Sequence, residues 1–164
     1  MNLKDFNNLT DLFFYQAEKQ NQEDIFLEWL NKVSRKKFTW SETKESVYKF
    51  TKILKEYIKE GDRVLLVSEN RPEWLMADLS IMLAGGITVP SYITYTSTDY
   101  EYLIKDCEPS IVIVSNNTLH KKLEKIISQN RFIKKIITFD VVSGANYYDN
   151  YIDFYSIIKK DYYF

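Results

Sequence analysis

Residues 61–116 constrain the fold more than any other stretch, because strand-length apolar runs and capped helix-length segments alternate there with almost nothing between them. Val64 to Val67, Ile87 to Val89, Ile111 to Val114 and, further on, Ile136 to Phe139 are short apolar runs, the first and third unbroken and the other two holding one threonine each. Strands buried on both faces have this composition, as a parallel sheet covered by helices requires. The intervening segments carry helical spacing: Arg71 to Ala84, then Tyr100, Leu103, Ile104 and Cys107, then Leu119, Leu123, Ile126 and Ile127. Strand–helix–strand units connect by right-handed crossovers. The expected fold is therefore α/β, a doubly wound, mostly parallel sheet with helices on both faces.

Helix ends can be read in the same way. Thr39 with Glu42, Asn70 with Glu73 and Thr96 with Asp99 each have the spacing of a capping box, in which a side-chain oxygen takes a first-turn amide and a carboxylate reaches back. Pro72 fits a first turn, where amides lack intrahelical partners. Val47, Phe50, Leu54, Tyr57 and Ile58 predict a helix ended by Gly61. Gly85–Gly86 predicts a left-handed exit and close helix–strand packing, and Pro90 a strand end. The helix over 71–84 has Asp78 and Ser80 as its chief interior polar residues, which places it between layers. Upstream, the spacing predicts a helix over Leu9 to Lys19 and two paired strands, Ile25 to Leu30 and Lys36 to Trp40. Downstream, Ser143 to Asn146 reads as a turn and Asn150 to Lys160 as a short helix.

Composition excludes several functions. With 22 basic and 23 acidic residues interspersed, no basic face exists to compete for nucleic-acid phosphates. Lys121, Lys122 and Lys125 read as a solvated helix face. One cysteine, Cys107, permits no internal disulfide and no cysteine metal cluster. His120, the one histidine, reads as an exposed bystander in a first helical turn, and Cys107 as a small buried hydrophobe. A Cys107–His120 dyad is the weaker alternative. Glu23–Asp24 reads as solvated. No apolar run reaches the ~18 residues of a membrane span, and the N-terminus lacks a secretory pattern, so a cytoplasmic location is expected.

Four segments in order carry a family resemblance. Phe38–Thr39–Trp40–Ser41–Glu42, Gly61–Asp62–Arg63–Val64, Ser68 through Trp74, and Leu83 through Pro90 resemble the early part of AMP-forming acyl-CoA ligases, the third in the form common in the long-chain fatty-acid branch. The resemblance implies an intact enzyme that joins a fatty acid to ATP as acyl-AMP with magnesium assisting, then passes the acyl group to coenzyme A. It implies that residues 1–164 form a partial N-terminal AMP-binding domain. The phosphate loop, the nucleotide-contacting motifs and the C-terminal domain would lie beyond Phe164. No catalytic, cofactor-binding or metal-binding residue is assigned within the chain, and peripheral membrane contact is compatible with the reading. Tyr95–Thr96–Ser97–Thr98 looks like the start of the family's phosphate loop. Asp99 and Tyr100 follow it, with no glycine, so it reads as a helix N-terminus. Trp29, Trp40 and Trp74 read as core rather than acyl pocket. Two alternatives stand: another adenylate-forming enzyme (amino-acid- or aryl-activating, or an acyl-AMP ligase), and a free-standing flavodoxin-like or receiver-like binding module.

Overall fold

The computed structural model describes residues 6–30, 35–143 and 150–159. A five-stranded parallel sheet runs in the order β4-β3-β5-β6-β7. Its strands are β3 (Arg63–Val67), β4 (Ile87–Ser91), β5 (Ile111–Val114), β6 (Lys135–Thr138) and β7 (Tyr151–Asp153). A separate antiparallel hairpin joins β1 (Ile25–Leu30) to β2 (Arg35–Thr39). The helices are α1 (Leu9–Lys19), α2 (Trp40–Leu54), α3 (Pro72–Leu83), α4 (Ser97–Cys107), α5 (Asn117–Gln129) and α6 (Phe154–Ile158).

Strand alternation divides the interior in two. Val64 and Leu66 of β3 and Ile111 and Ile113 of β5 point to one face, where α3 lies under α2 with Phe13 of α1 and Phe154 of α6. Leu65, Val67, Val112 and Val114 point to the other, under α4 and α5. The sheet is thus doubly wound. From β3 the chain moves outward to β4, then crosses back past β3 to β5, so the strand order reverses between β3 and β5. α3 buries Met76, Ala77, Leu79 and Ile81, and is the layer between α2 and the sheet that its composition predicts.

Local chemistry explains the boundaries. Thr39 and Thr96 both form complete capping boxes, with Glu42 and Asp99. At the exit of α3, Gly85 takes φ +86°, and a Cβ on Gly86 would stand 2.9 Å from Ile58 Cδ1 and 3.3 Å from the Asp62 carbonyl oxygen. A side chain there would have to displace Ile58 and Ile81. Ile87 N–H donates to Asp62 O, so odd residues of β4 face β3. Pro90 therefore faces the open edge, where its missing N–H breaks no ladder bond.

Three expectations need correction. Asn70 does not cap α3: the N-cap is Arg71, with no side-chain cap bond, and Asn70 is exposed. Glu73 is drawn inward by Arg71 instead of reaching back along the helix. Gly61 does not end α2, which stops at Leu54. The amides of Tyr57 and Ile58 both donate to Leu54 O as the helix unwinds, and Gly61 (φ +81°) serves the later turn into β3. Tyr57 and Ile58 still pack on the core, so the apolar stripe outlasts the helix. Finally, Asn150 to Lys160 is not one helix. It begins with β7, whose three residues are too few to show a strand period, and α6 follows, capped by Asp153. The turn read over Ser143 to Asn146 lies, beyond Ser143, outside the described residues.

Candidate functional site

Open α/β sheets bind ligands beyond the carboxyl ends of the strands, where the strand order reverses. Here the residues leaving β3 and β5 at that point meet each other. The Glu69 carboxylate accepts a hydrogen bond from the Ser115 hydroxyl and one of 3.4 Å from the Asn116 amide. Asn116 in turn accepts from Leu119 N–H at 3.0 Å, capping α5.

Arg71 sits behind this contact, its side chain 0% exposed. Its Nε and Nη2 donate to Glu73 at 2.8 and 3.0 Å, and its Nη1 and Nη2 to Asp140 at 3.1 and 3.0 Å. Glu69 Oε1 lies 3.6 Å from Nη1. The rings of Trp29 and Phe139 lie 4.7 and 5.5 Å from the guanidinium carbon, so the cation lies between aromatic rings as well as being paired. Glu73, equally buried, also accepts from the Tyr155 hydroxyl and stands 3.4 Å from Lys36 Nζ. Lys36 donates to the Tyr155 oxygen at 2.9 Å. One buried carboxylate thus joins the hairpin, α3 and α6.

Burial alone would raise the Glu73 pKa, but hydrogen bonds from Arg71 and Tyr155 outweigh it and hold the carboxyl down at about 2. Burial likewise works against the Arg71 charge, and Glu73 and Asp140 outweigh it, so its pKa is raised. Burial, then the Glu73 carboxylate, push the Tyr155 phenol up. A planar guanidinium whose donors are taken by two carboxylates is unavailable to a phosphate. The cluster fastens β3, α3, β6, α6 and the hairpin together.

Beside it lies a cleft of about 500 Å³ bounded by Ser68, Glu69, Asn70 and Trp74 on one side and Pro90 to Ile93 on the other. Its walls are mainly apolar, with Tyr92 72% exposed. Its charged group is the Glu69 carboxylate, the wrong sign for a nucleotide phosphate. Phosphate cradles also need glycine-rich backbone. Gly61, Gly85 and Gly86 precede β3 and β4, at the opposite edge of the sheet. Among the described residues no three His, Cys, Asp or Glu groups gather as metal ligands, and Glu73 and Asp140 are already bonded to Arg71. The described residues fit neither magnesium nor a nucleotide triphosphate.

Tyr95 to Thr98 forms the N-terminus of α4 as expected, with Thr96 at the N-cap. Cys107 ends α4 at the amino edge of the sheet, where its carbonyl accepts from Arg63, and is half-buried, which pushes the thiol pKa up. His120 lies in the first turn of α5 at the carboxyl edge, so the two form no dyad. His120 is not exposed. It is 2% accessible, because β7 covers it and Tyr151 OH lies 2.6 Å from its Nε2. The lysine face is solvated at Lys121 and Lys125, but Lys122 donates to the carbonyls of Ile93 and Tyr95. Trp40 and Trp74 pack against the core, and Trp29 against Arg71. The Arg71 cluster escaped the sequence reading. Its visible trace was Glu69-x-Arg71-x-Glu73, charges alternating at the entrance to an otherwise apolar helix.

The comparisons with known proteins agree with this architecture. Residues 13–153 match the family model described as AMP-binding enzyme. The chain belongs to that family of AMP-binding enzymes. It is 32% identical over 89 residues to fatty acyl-CoA synthetase A of Dictyostelium discoideum, covering 54% of this chain and 13% of that protein. It is 31% identical over 70 residues to the long-chain-fatty-acid–CoA ligase ACSBG2 of Xenopus laevis, covering 43% of this chain and 10% of that one. Among solved structures, the anthranilate CoA ligase AuaEII in complex with anthranoyl-AMP matches with a TM-score of 0.80 at 19% identity, over 97% of this chain and 30% of that one. Acetoacetyl-CoA synthetase from Streptomyces lividans gives 0.80 at 16%, over 95% and 25%. The matched segments are thus about a tenth of the curated relatives' lengths. Among the described residues no helix is long and apolar enough to cross a membrane.

Proposed function

We propose that residues 1–164 are framework from the N-terminal AMP-binding domain of a fatty-acid–CoA ligase. The intact enzyme would convert a fatty acid and ATP to acyl-AMP and pyrophosphate, with magnesium, and then form the coenzyme A thioester. The fatty-acid assignment rests on the sequence similarity to the Dictyostelium and Xenopus proteins. The framework role rests on one observation: the crevice at the strand-order reversal is closed by Glu69, Ser115 and Asn116, with Arg71 fully paired behind it. That closure also counts against a free-standing flavodoxin-like module, which would need the crevice open.

The test has two arms. The purified 164-residue chain, given ATP, magnesium, palmitate and coenzyme A, is expected to release no pyrophosphate and form no thioester. Activity there would overturn the framework role. The coding sequence continued past Phe164 is expected to open into a Gly/Ser/Thr-rich loop with a lysine, and its full product to exchange pyrophosphate into ATP with palmitate. Exchange with an amino acid or an aryl acid instead would overturn the fatty-acid assignment.

A further inference from the structure

One edge of the sheet is β7, its shortest strand. β7 pairs with β6 alone, through Ile136–Tyr151, Ile137–Ile152 and Thr138–Asp153. Its first residue is linked to α5 by a 2.6 Å contact between His120 Nε2 and Tyr151 OH, with the rings edge to face at 5.4 Å. With the ring proton on Nδ1, the Tyr151 phenol donates to Nε2. A protonated ring would have to reverse that bond and hold a charge at a position 2% accessible.

Among the described residues, little stabilises such a charge. On α5 the acting carboxylate is Glu124, one turn on, and its pull is outweighed by burial, which lowers the His120 pKa from 6.5. On β7 the facing titratable group is Tyr151 itself, and the Asp153 carboxylate is engaged in capping α6. β5 and β6 turn Val112, Val114 and Ile136 toward α5, and α4 turns Tyr100, Leu103 and Ile104.

We propose that His120 and Tyr151 form an acid-released latch: proton uptake by the buried imidazole frees β7 from the sheet edge while β3, β5 and β6 stay paired. The sign follows from linkage. A histidine whose folded pKa lies below its unfolded 6.5 supports the closed state fully above 6.5, and that support drains as pH falls below it. Opening of β7 would also draw on α6, whose Phe154 packs against Phe50 and Phe139.

Amide hydrogen exchange of the 164-residue chain from about pH 8 to about pH 5, corrected for intrinsic rates, tests this. Protection of residues 151–153 is expected to fall by up to about tenfold per pH unit from 6.5 down to the His120 midpoint and to level off below it, while β3 amides keep theirs. His120→Gln retains a hydrogen-bonding group without titration and should flatten the profile. Because His120 is the one histidine in the chain, its ring resonance also reports its own midpoint, expected below 6.5 and raised in Tyr151→Phe. A flat wild-type profile at residues 151–153, an unchanged profile in His120→Gln, or a ring midpoint at or above the unfolded value would each overturn the latch.

Discussion

Glu73 shows how one side chain in this molecule is fixed by competing effects of similar size. Taking a carboxylate out of water is costly, and a buried ion pair need not stabilise at all against an apolar replacement. Removing one partner is another matter, because the survivor stays buried and unpaired. Glu73→Gln keeps the shape and loses the charge, leaving Arg71 with Asp140 and a more distant Glu69. It is expected to lower the unfolding free energy by about 3 kcal/mol, seen as an earlier urea midpoint. The pH dependence follows from the depressed pKa. The Glu73 contribution is complete above the ordinary 4.5 and drains as pH falls toward about 2. A shift of that size corresponds to about 3 kcal/mol. The gap between wild type and variant should therefore narrow steadily over that acid window. A gap independent of pH would mean that Gln fails for reasons of packing rather than charge.

At the scale of elements, signals of short range were legible in the sequence and signals of long range were not. β3 and β5 showed because strands buried on both faces are apolar at every position, and Thr39 and Thr96 because a capping box spans only four residues. Asn70 and Glu73 have the same spacing, yet Arg71 outcompetes it by presenting a guanidinium that Asp140, distant in sequence, helps to bury. No local pattern encodes that partner. β7 was lost for want of length, and the burial of His120 with it, since the cover over that helix face comes from β7. The Gly86 turn, by contrast, was readable and is sharply testable. An alanine Cβ there would press on Ile58 Cδ1 at 2.9 Å and Ile81 Cγ2 at 3.0 Å. Overpacking of this kind costs about 1–3 kcal/mol. Gly61→Ala meets nothing within 4 Å but sits at φ +81°, for about 1 kcal/mol of backbone strain. Adding Ile58→Val should recover part of the Gly86→Ala loss and none of the Gly61→Ala loss in thermal melts. Equal recovery in both would place the Gly86 cost in the backbone.

Across the whole molecule, the hairpin near the start of the chain and α6 near its end converge on the same carboxylate. Lys36 of β2 reaches Glu73 at 3.4 Å and the Tyr155 oxygen at 2.9 Å, while Tyr155 of α6 donates to Glu73. Three groups so close in a low-dielectric interior polarise one another, so the loss of one changes the worth of the others. Independent anchors would give additive effects, as sites without shared partners do. A shared anchor predicts otherwise. Lys36→Met and Tyr155→Phe each preserve most of the apolar side chain and remove one polar arm. The first also removes a cation that lies 4.8 Å from the Tyr155 ring. The two changes together are expected to depart from the sum of the singles by at least about 0.5 kcal/mol in urea unfolding. The same cycle repeated on a Glu73→Gln background should lose most of that coupling, because the carboxylate is what the two arms share. Additivity in the first cycle would mean that the hairpin and α6 are held by their own apolar contacts. Undiminished coupling in the second would move the joint from Glu73 to the direct Lys36–Tyr155 bond.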